Sequence, residues 1–153
     1  MKLPSIDRAI EICQEHLDRT NSRGTEIEAF LTRYLLVFMC AAFEEEIEGI
    51  VLRRLAASND RHIESFAKSA LDAVFRSMKT TEIGGLLNRF SPGYKEEFKM
   101  RVNGTRAETY FNNIVLGRHS TAHSLGANVT IRELVEFYEE GHTVLDAIQE
   151  ICR

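Results

Sequence analysis

Arg118, His119, Ser120 and His123 fall within six consecutive residues of a 153-residue chain. They are its one concentrated set of acid–base and anion-binding side chains. Imidazole carries protons in either direction near neutrality. A guanidinium stays charged and offers a fixed fork of donors to oxyanions. Arg118 and His123 form an Arg-x4-His pair, a spacing that chance supplies about once in two chains with 14 Arg and 5 His. The spacing therefore matters less than its setting. Gly117 precedes Arg118 inside a helical pattern, where glycine costs ~1 kcal/mol relative to alanine, so another group is expected to approach closely there.

The elements that position this cluster are helical. The stretch from Thr105 to Leu125 places Tyr110, Phe111, Ile114, Val115 and Ala122 on one apolar face. Leu3-Pro4-Ser5 opens a first helix carrying Ile6, Ala9, Ile10, Cys13 and Leu17, and Gly24 is expected to close it with a positive φ. A second helix of roughly thirty residues, ~45 Å long, starts at Thr25. From Leu35 to Phe43 its apolar residues surround the axis, which marks a helix that is central or faces a partner. Ile63 to Met78 gives a third amphipathic pattern. A short helical piece spans Ile83 to Phe90, and a weaker one runs from Tyr94 to Met100. Leu134 to Ile151 reads as one last helix. Thr25/Glu28, Thr105/Glu108 and Thr130/Glu133 have capping-box spacing. No stretch shows sustained period-two alternation. The expected fold is all-α, a bundle of about five helices built on antiparallel long helices, with residues 1–153 as a single domain.

Composition is that of a soluble globular chain, with 44% hydrophobic and 27% charged residues. The net charge of −4 argues against a broad non-specific nucleic-acid surface but allows a small basic site. Cys13, Cys40 and Cys152 show neither metal-ligand spacing nor a disulfide framework, so a reducing cytoplasm is the simplest setting. The longest apolar run, Tyr34 to Phe43, is about half of what crosses a bilayer, and no membrane association is expected.

The pattern resembles the HEPN superfamily of small all-α domains, many of them ribonucleases and toxins. Arg118, His119 and His123 match its signature of an Arg, commonly followed by Asn, Asp or His, with a His four to six positions beyond the Arg. NNIVLGRHSTAHSLGANVTIRELVEFYEEGHTVLDAI is similar to the closing helices of HEPN domains of the MAE_28990 and RiboL-PSP types. YLLVFMCAAFEEEIEGIVLRRL resembles their long helix with an acid after an apolar run. The likeness covers roughly residues 25–150.

The resemblance implies an endoribonuclease with RNA as substrate. RNA supplies its own nucleophile in the 2′-OH. The protein must then take that proton, protonate the departing 5′-oxygen and stabilise the phosphorane, for which neither metal nor cofactor is required. In that reading His123 is the general acid/base, Arg118 stabilises the phosphate and His119 is a second proton carrier or orienting group. Ser120 and Asn113 orient a phosphate or an imidazole. One carboxylate of Glu44, Glu45 and Glu46 stands against Arg118 or a histidine, with Glu44 the candidate; alternatively all three form a solvated face.

Arg118 and His123 lie about 140° apart around an ideal helix, so one helix alone aims them poorly at one phosphate. The resemblance implies a homodimer whose two-fold cleft combines two copies of each. An antitoxin or other regulatory protein, in a toxin–antitoxin or defence setting, is a further candidate partner.

Other readings compete. Arg118 and His123 could simply end a helix, where cations are favoured. His119 and His123 have i, i+4 metal spacing but no evident third ligand. The main alternative is a non-catalytic dimeric module that binds a protein or RNA. A small nucleotide-binding helical domain is a weaker one, since the chain has no Gly-rich phosphate loop.

Overall fold

The computed structural model describes residues 1–71, 78–121 and 129–153, the side chains of Leu71, His119, Ser120 and Thr121 excepted. Eight helical segments and no strand occur among these residues: α1 Pro4–Thr20, α2 Glu26–Ala56, α3 Arg61–Leu71, α4 Thr80–Phe90, α5 Pro92–Val102, α6 Arg106–Thr121, α7 Ile131–Gly141 and α8 Thr143–Ile151. The architecture is the expected all-α bundle, with its shorter pieces standing as helices of their own. No helix among the described residues is long and apolar enough to cross a membrane.

Local chemistry explains most boundaries. Pro4 sits in the first turn of α1, where a missing N–H costs nothing. The helix ends at Asn21, which takes the left-handed conformation at φ 51°, rather than at Gly24 as the sequence suggests. Asn tolerates that region because its short side chain bonds locally. Gly24, at φ 74°, instead precedes α2 and donates its N–H to Glu28 at 2.6 Å. Gly104, at φ 73°, repeats the device before α6, donating to Glu108 at 2.7 Å. At α7 the capping box is reciprocal between Thr130 and Glu133. Ser91 ends α4 and caps α5 through Gly93 N–H at 3.1 Å.

The final apolar pattern divides at His142 into α7 and α8. The Thr143 hydroxyl donates to the Glu140 carbonyl at 2.8 Å, satisfying one of the acceptors freed by the break. Gly141 lies against α6 so closely that a Cβ there would stand 3.1 Å from the Phe111 nitrogen.

One hydrophobic core joins the helices. Leu35, Leu36, Met39, Cys40, Phe43, Ile47, Ile50 and Val51 form the buried face of α2. Phe43 stacks on Phe111 of α6 at 5.2 Å and on Tyr138 of α7 at 6.3 Å. The Tyr138 hydroxyl accepts from Leu3 N–H at 2.7 Å and ties α1 to α7. Because Phe43 meets Phe111 and Leu36 meets Gly117, α2 and α6 run antiparallel.

The wrapped apolar stretch of α2 is buried on one side only. Ile27, Phe30, Tyr34 and Val37, at alternating spacings of three and four, are 44%, 64%, 57% and 44% exposed. On α3, Ile63 and Phe66 are also exposed, so the amphipathic face read in the sequence is not covered by the described residues.

Two outcomes follow from this packing. Gly141→Val overpacks the α6–α7 contact and is expected to lower stability by about 1–3 kcal/mol, measured by urea unfolding; an unchanged midpoint contradicts the close approach. Burial pushes the Tyr138 phenol up from its ordinary 10 to about 12. The unfolded chain then ionises Tyr138 at lower pH than the folded one, so stability present below pH 10 is lost as pH rises through this window. Stability curves should steepen downward there in the wild type and less in Tyr138→Phe; parallel curves contradict the assignment.

Candidate functional site

The Arg118 guanidinium reaches from α6 to α2. Its Nη1 donates to Glu44 Oε1 at 2.6 Å and lies 3.8 Å from Cys40 Sγ. The Cys40 thiol is itself 3.8 Å from the same carboxylate oxygen. Cys40 and Glu44 are four residues apart, which puts both on one face of α2. Hydrogen bonding to Cys40 and the negative charge of Glu44 push the Arg118 pKa further up, against the opposing effect of burial. The pair is neither surface nor core: the Arg118 side chain is 38% exposed and that of Glu44 20%. Arg118 therefore holds a charge-assisted bond on a side chain that is still partly exposed.

Of the three consecutive acids, Glu44 is the one against Arg118. Glu46 bonds Arg53 at 2.8 Å, and Glu45 is exposed. A cavity of about 10 Å³, the size of one water molecule, adjoins Glu44 between Cys40, Phe43, Ile47, Met78, Phe111 and Val115. Its apolar walls weaken local screening, so the ion pair is stronger there than in open water.

Gly117 explains how α6 comes close enough. A Cβ there would lie 2.6 Å from Leu36 Cδ1, so the glycine cost expected from the sequence serves contact with α2 of the same chain. Phe111, Ile114 and Val115 are buried, and they fix the rotation of α6 that turns Arg118 toward Glu44.

His123 and Ala122 lie outside the described residues, as do the side chains of His119 and Ser120, although the backbone of those two is part of α6. Asn113 is half-buried and its side chain forms no hydrogen bond among the described residues. Its neighbour Asn112 takes a structural role instead: its Oδ1 accepts from Thr80 N–H and its Nδ2 donates to Thr80 Oγ1, both at 3.0 Å. Thr80 Oγ1 also donates to Glu108 at 3.1 Å. Two contributors were not singled out in the sequence, Cys40 and Leu36. The i, i+4 relation of Cys40 to Glu44 is the signal that marks the first. Leu36 carries no polar signature.

Next to this site, the exposed row Ile27, Phe30, Tyr34 and Val37 runs along α2, and Leu116, the residue before Gly117, is exposed as well. Among the described residues no group of three or more His, Cys, Asp or Glu could hold a metal ion.

Comparison with known families agrees with the fold. The RiboL-PSP-HEPN family model matches residues 2–153, and the chain belongs to that family of HEPN-type domains. No curated protein and no solved structure matches the chain.

The Arg118–Glu44 contact has a direct energetic signature. In a double-mutant cycle of Arg118→Met and Glu44→Gln, unfolding free energies should couple by about 0.5–1 kcal/mol, the exposure of Arg118 screening part of the attraction. Strictly additive effects would show that the two side chains do not interact.

Proposed function

We propose that this chain is a metal-independent endoribonuclease of HEPN type acting as a homodimer in the cytoplasm. The observation that carries the reading is Arg118: a partly exposed side chain, anchored at 2.6 Å to Glu44 of α2, a helix that also carries an exposed apolar row. Family membership supports the same class of site.

In this mechanism the 2′-oxygen of the substrate attacks the adjacent phosphorus. His123 takes the 2′ proton and His119, or a second His123, protonates the departing 5′-oxygen. The P–O5′ bond breaks, leaving a 2′,3′-cyclic phosphate and a 5′-hydroxyl. Arg118 faces the equatorial oxygens of the phosphorane and offsets their charge. Glu44 is a positioning residue that holds the guanidinium before substrate arrives. Ser120 and Asn113 orient the phosphate or an imidazole. No cofactor enters the reaction.

The dimer supplies what one helix cannot. Ile27, Phe30, Tyr34 and Val37 repeat at the three-four spacing that seats one helix against another, and their exposure supports α2 as the surface that meets a second copy. Pairing there brings two Arg118 side chains toward one cleft. An antitoxin or other regulatory protein is the further partner this reading expects. The same apolar row also supports the second reading, a non-catalytic dimeric module that binds RNA or a protein.

The test uses single-stranded RNA in EDTA. The wild type should cleave it and leave cyclic phosphate ends, Arg118→Ala should be about 10²–10³-fold slower, and Arg118→Ala/His123→Ala inactive. Phe30→Glu/Tyr34→Glu should become monomeric by native mass and lose cleavage. No cleavage across varied RNAs, tRNA included, favours the binding module. Full activity in a monomer rules out the shared cleft.

A further inference from the structure

A second polar concavity lies well away from Arg118, at the C-terminal end of α2. Two adjoining clefts of about 240 and 320 Å³ share Arg54 and Ala57. The first is lined by Ile50, Arg53, Gln149, Cys152 and Arg153 besides the shared pair. The second adds Leu55, Ser58 and Phe90. Together they have the size of an ordinary small-molecule site. Arg54 stands ten residues beyond Glu44 on α2, about 15 Å along its axis.

The charge of this groove is unusual for the chain. The protein carries −4 overall, yet three arginines and no acid line the two clefts. Cations near helix C-termini are ordinarily explained by the helix dipole, and the ends of α2 and α8 meet here. That explanation covers the location but not the lack of side-chain partners at Arg54 and Arg153. Arg53 is neutralised by Glu46 at 2.8 Å; the side chains of Arg54, half-buried, and Arg153 donate no hydrogen bond among the described residues. Burial pushes the Cys152 thiol up while the charge of Arg54 pulls it down, so the arginine's field reaches the interior of the groove. The second cleft differs in character: Leu55 and Phe90 give it an apolar wall, with the Phe90 ring stacked on Tyr94 at 6.3 Å.

We infer that this groove binds a nucleoside phosphate, with Arg54 and Arg153 around the phosphate oxygens and the base against Leu55 and Phe90. Several guanidinium donors match phosphate geometry, and an aromatic face accepts a base of any sequence. Gln149 and Ser58 add neutral hydrogen-bonding groups at the edge. The phosphate can belong to a free nucleotide or to a residue of an RNA strand; the chemistry is shared. The site is separate from the proposed cleavage centre and does not depend on it.

Calorimetric titration with AMP, pyrophosphate and adenosine, and anisotropy with a fluorescein-labelled single-stranded RNA, read this directly. AMP and pyrophosphate should bind and adenosine should not. Arg54→Gln/Arg153→Gln should weaken both phosphate ligands tenfold or more, with an unchanged melting temperature. Arg54→Lys/Arg153→Lys should restore part of the loss, and Phe90→Leu should weaken AMP but not pyrophosphate. Arg118→Ala should leave AMP and pyrophosphate binding unchanged, whether or not the protein cleaves RNA. If RNA alone binds, with the same arginine dependence and a salt slope that falls by about 0.7 for each phosphate contact removed, the phosphate comes from a strand. Binding of neither phosphate ligand nor RNA overturns the inference, as does binding that ignores the Gln variant, or AMP and pyrophosphate binding that is lost equally in Arg118→Ala.

Discussion

Along the antiparallel contact of α2 and α6, an aromatic stack, a missing side chain and an ion pair act in series. Phe43 lies flat on Phe111 at 5.2 Å, deep in the core. Two turns further along α6, Leu36 occupies the space that a side chain on Gly117 would need. One residue beyond, Arg118 meets Glu44. A rotation of α6 by one residue, about 100°, would break all three. The ion pair is too exposed to position a helix by itself, since pairs at a surface contribute only about 0–1 kcal/mol. Burying a phenylalanine contributes more, about 1.5–3 kcal/mol. Packing therefore aims the arginine, and the carboxylate holds it where packing has brought it.

This arrangement gives α2 two working faces. Its buried face carries the core and the acid that holds Arg118. Its other face carries Ile27, Phe30, Tyr34 and Val37 in the open. A helix of 31 residues with apolar residues on both sides is costly to leave half-covered, because each exposed ring orders water that burial would release. In the proposed dimer that cost is relieved by the same contact that completes the cleft, so assembly and activity rest on one helix.

The helices were legible because each has a core face that repeats with the helical period, and because Thr–x–x–Glu sequences mark several starts. The cap between Thr130 and Glu133 appears as written, whereas Glu28 and Glu108 reach one residue further back to Gly24 and Gly104. Periodicity hid the break at His142, since α7 and α8 both keep apolar residues on the inner side through a single-residue turn. It also hid the difference between a face covered by the chain's own helices and one left open, which is why Phe30 and Phe66 look like core residues in the sequence. The prominence of Arg118 came from side-chain chemistry, but the selection of Glu44 over Glu45 and Glu46 depends on helix phase to within a single residue. Asn112 and Asn113 differ by the same one-residue margin, and it is Asn112 that pins α4 to α6 through Thr80. Gly117 signalled a close approach without saying whose.

The central claim is that Arg118 of one copy works with His123 of another. Subunit mixing tests it most directly. Arg118→Ala and His123→Ala proteins should each be strongly impaired, and a hybrid dimer contains one intact Arg118 and one intact His123 on opposite chains. Mixing the two after reversible dissociation should restore RNA cleavage well above either variant alone. Hybrid dimers that form, as seen by native mass, but stay as inactive as their parents would contradict a cleft shared between copies.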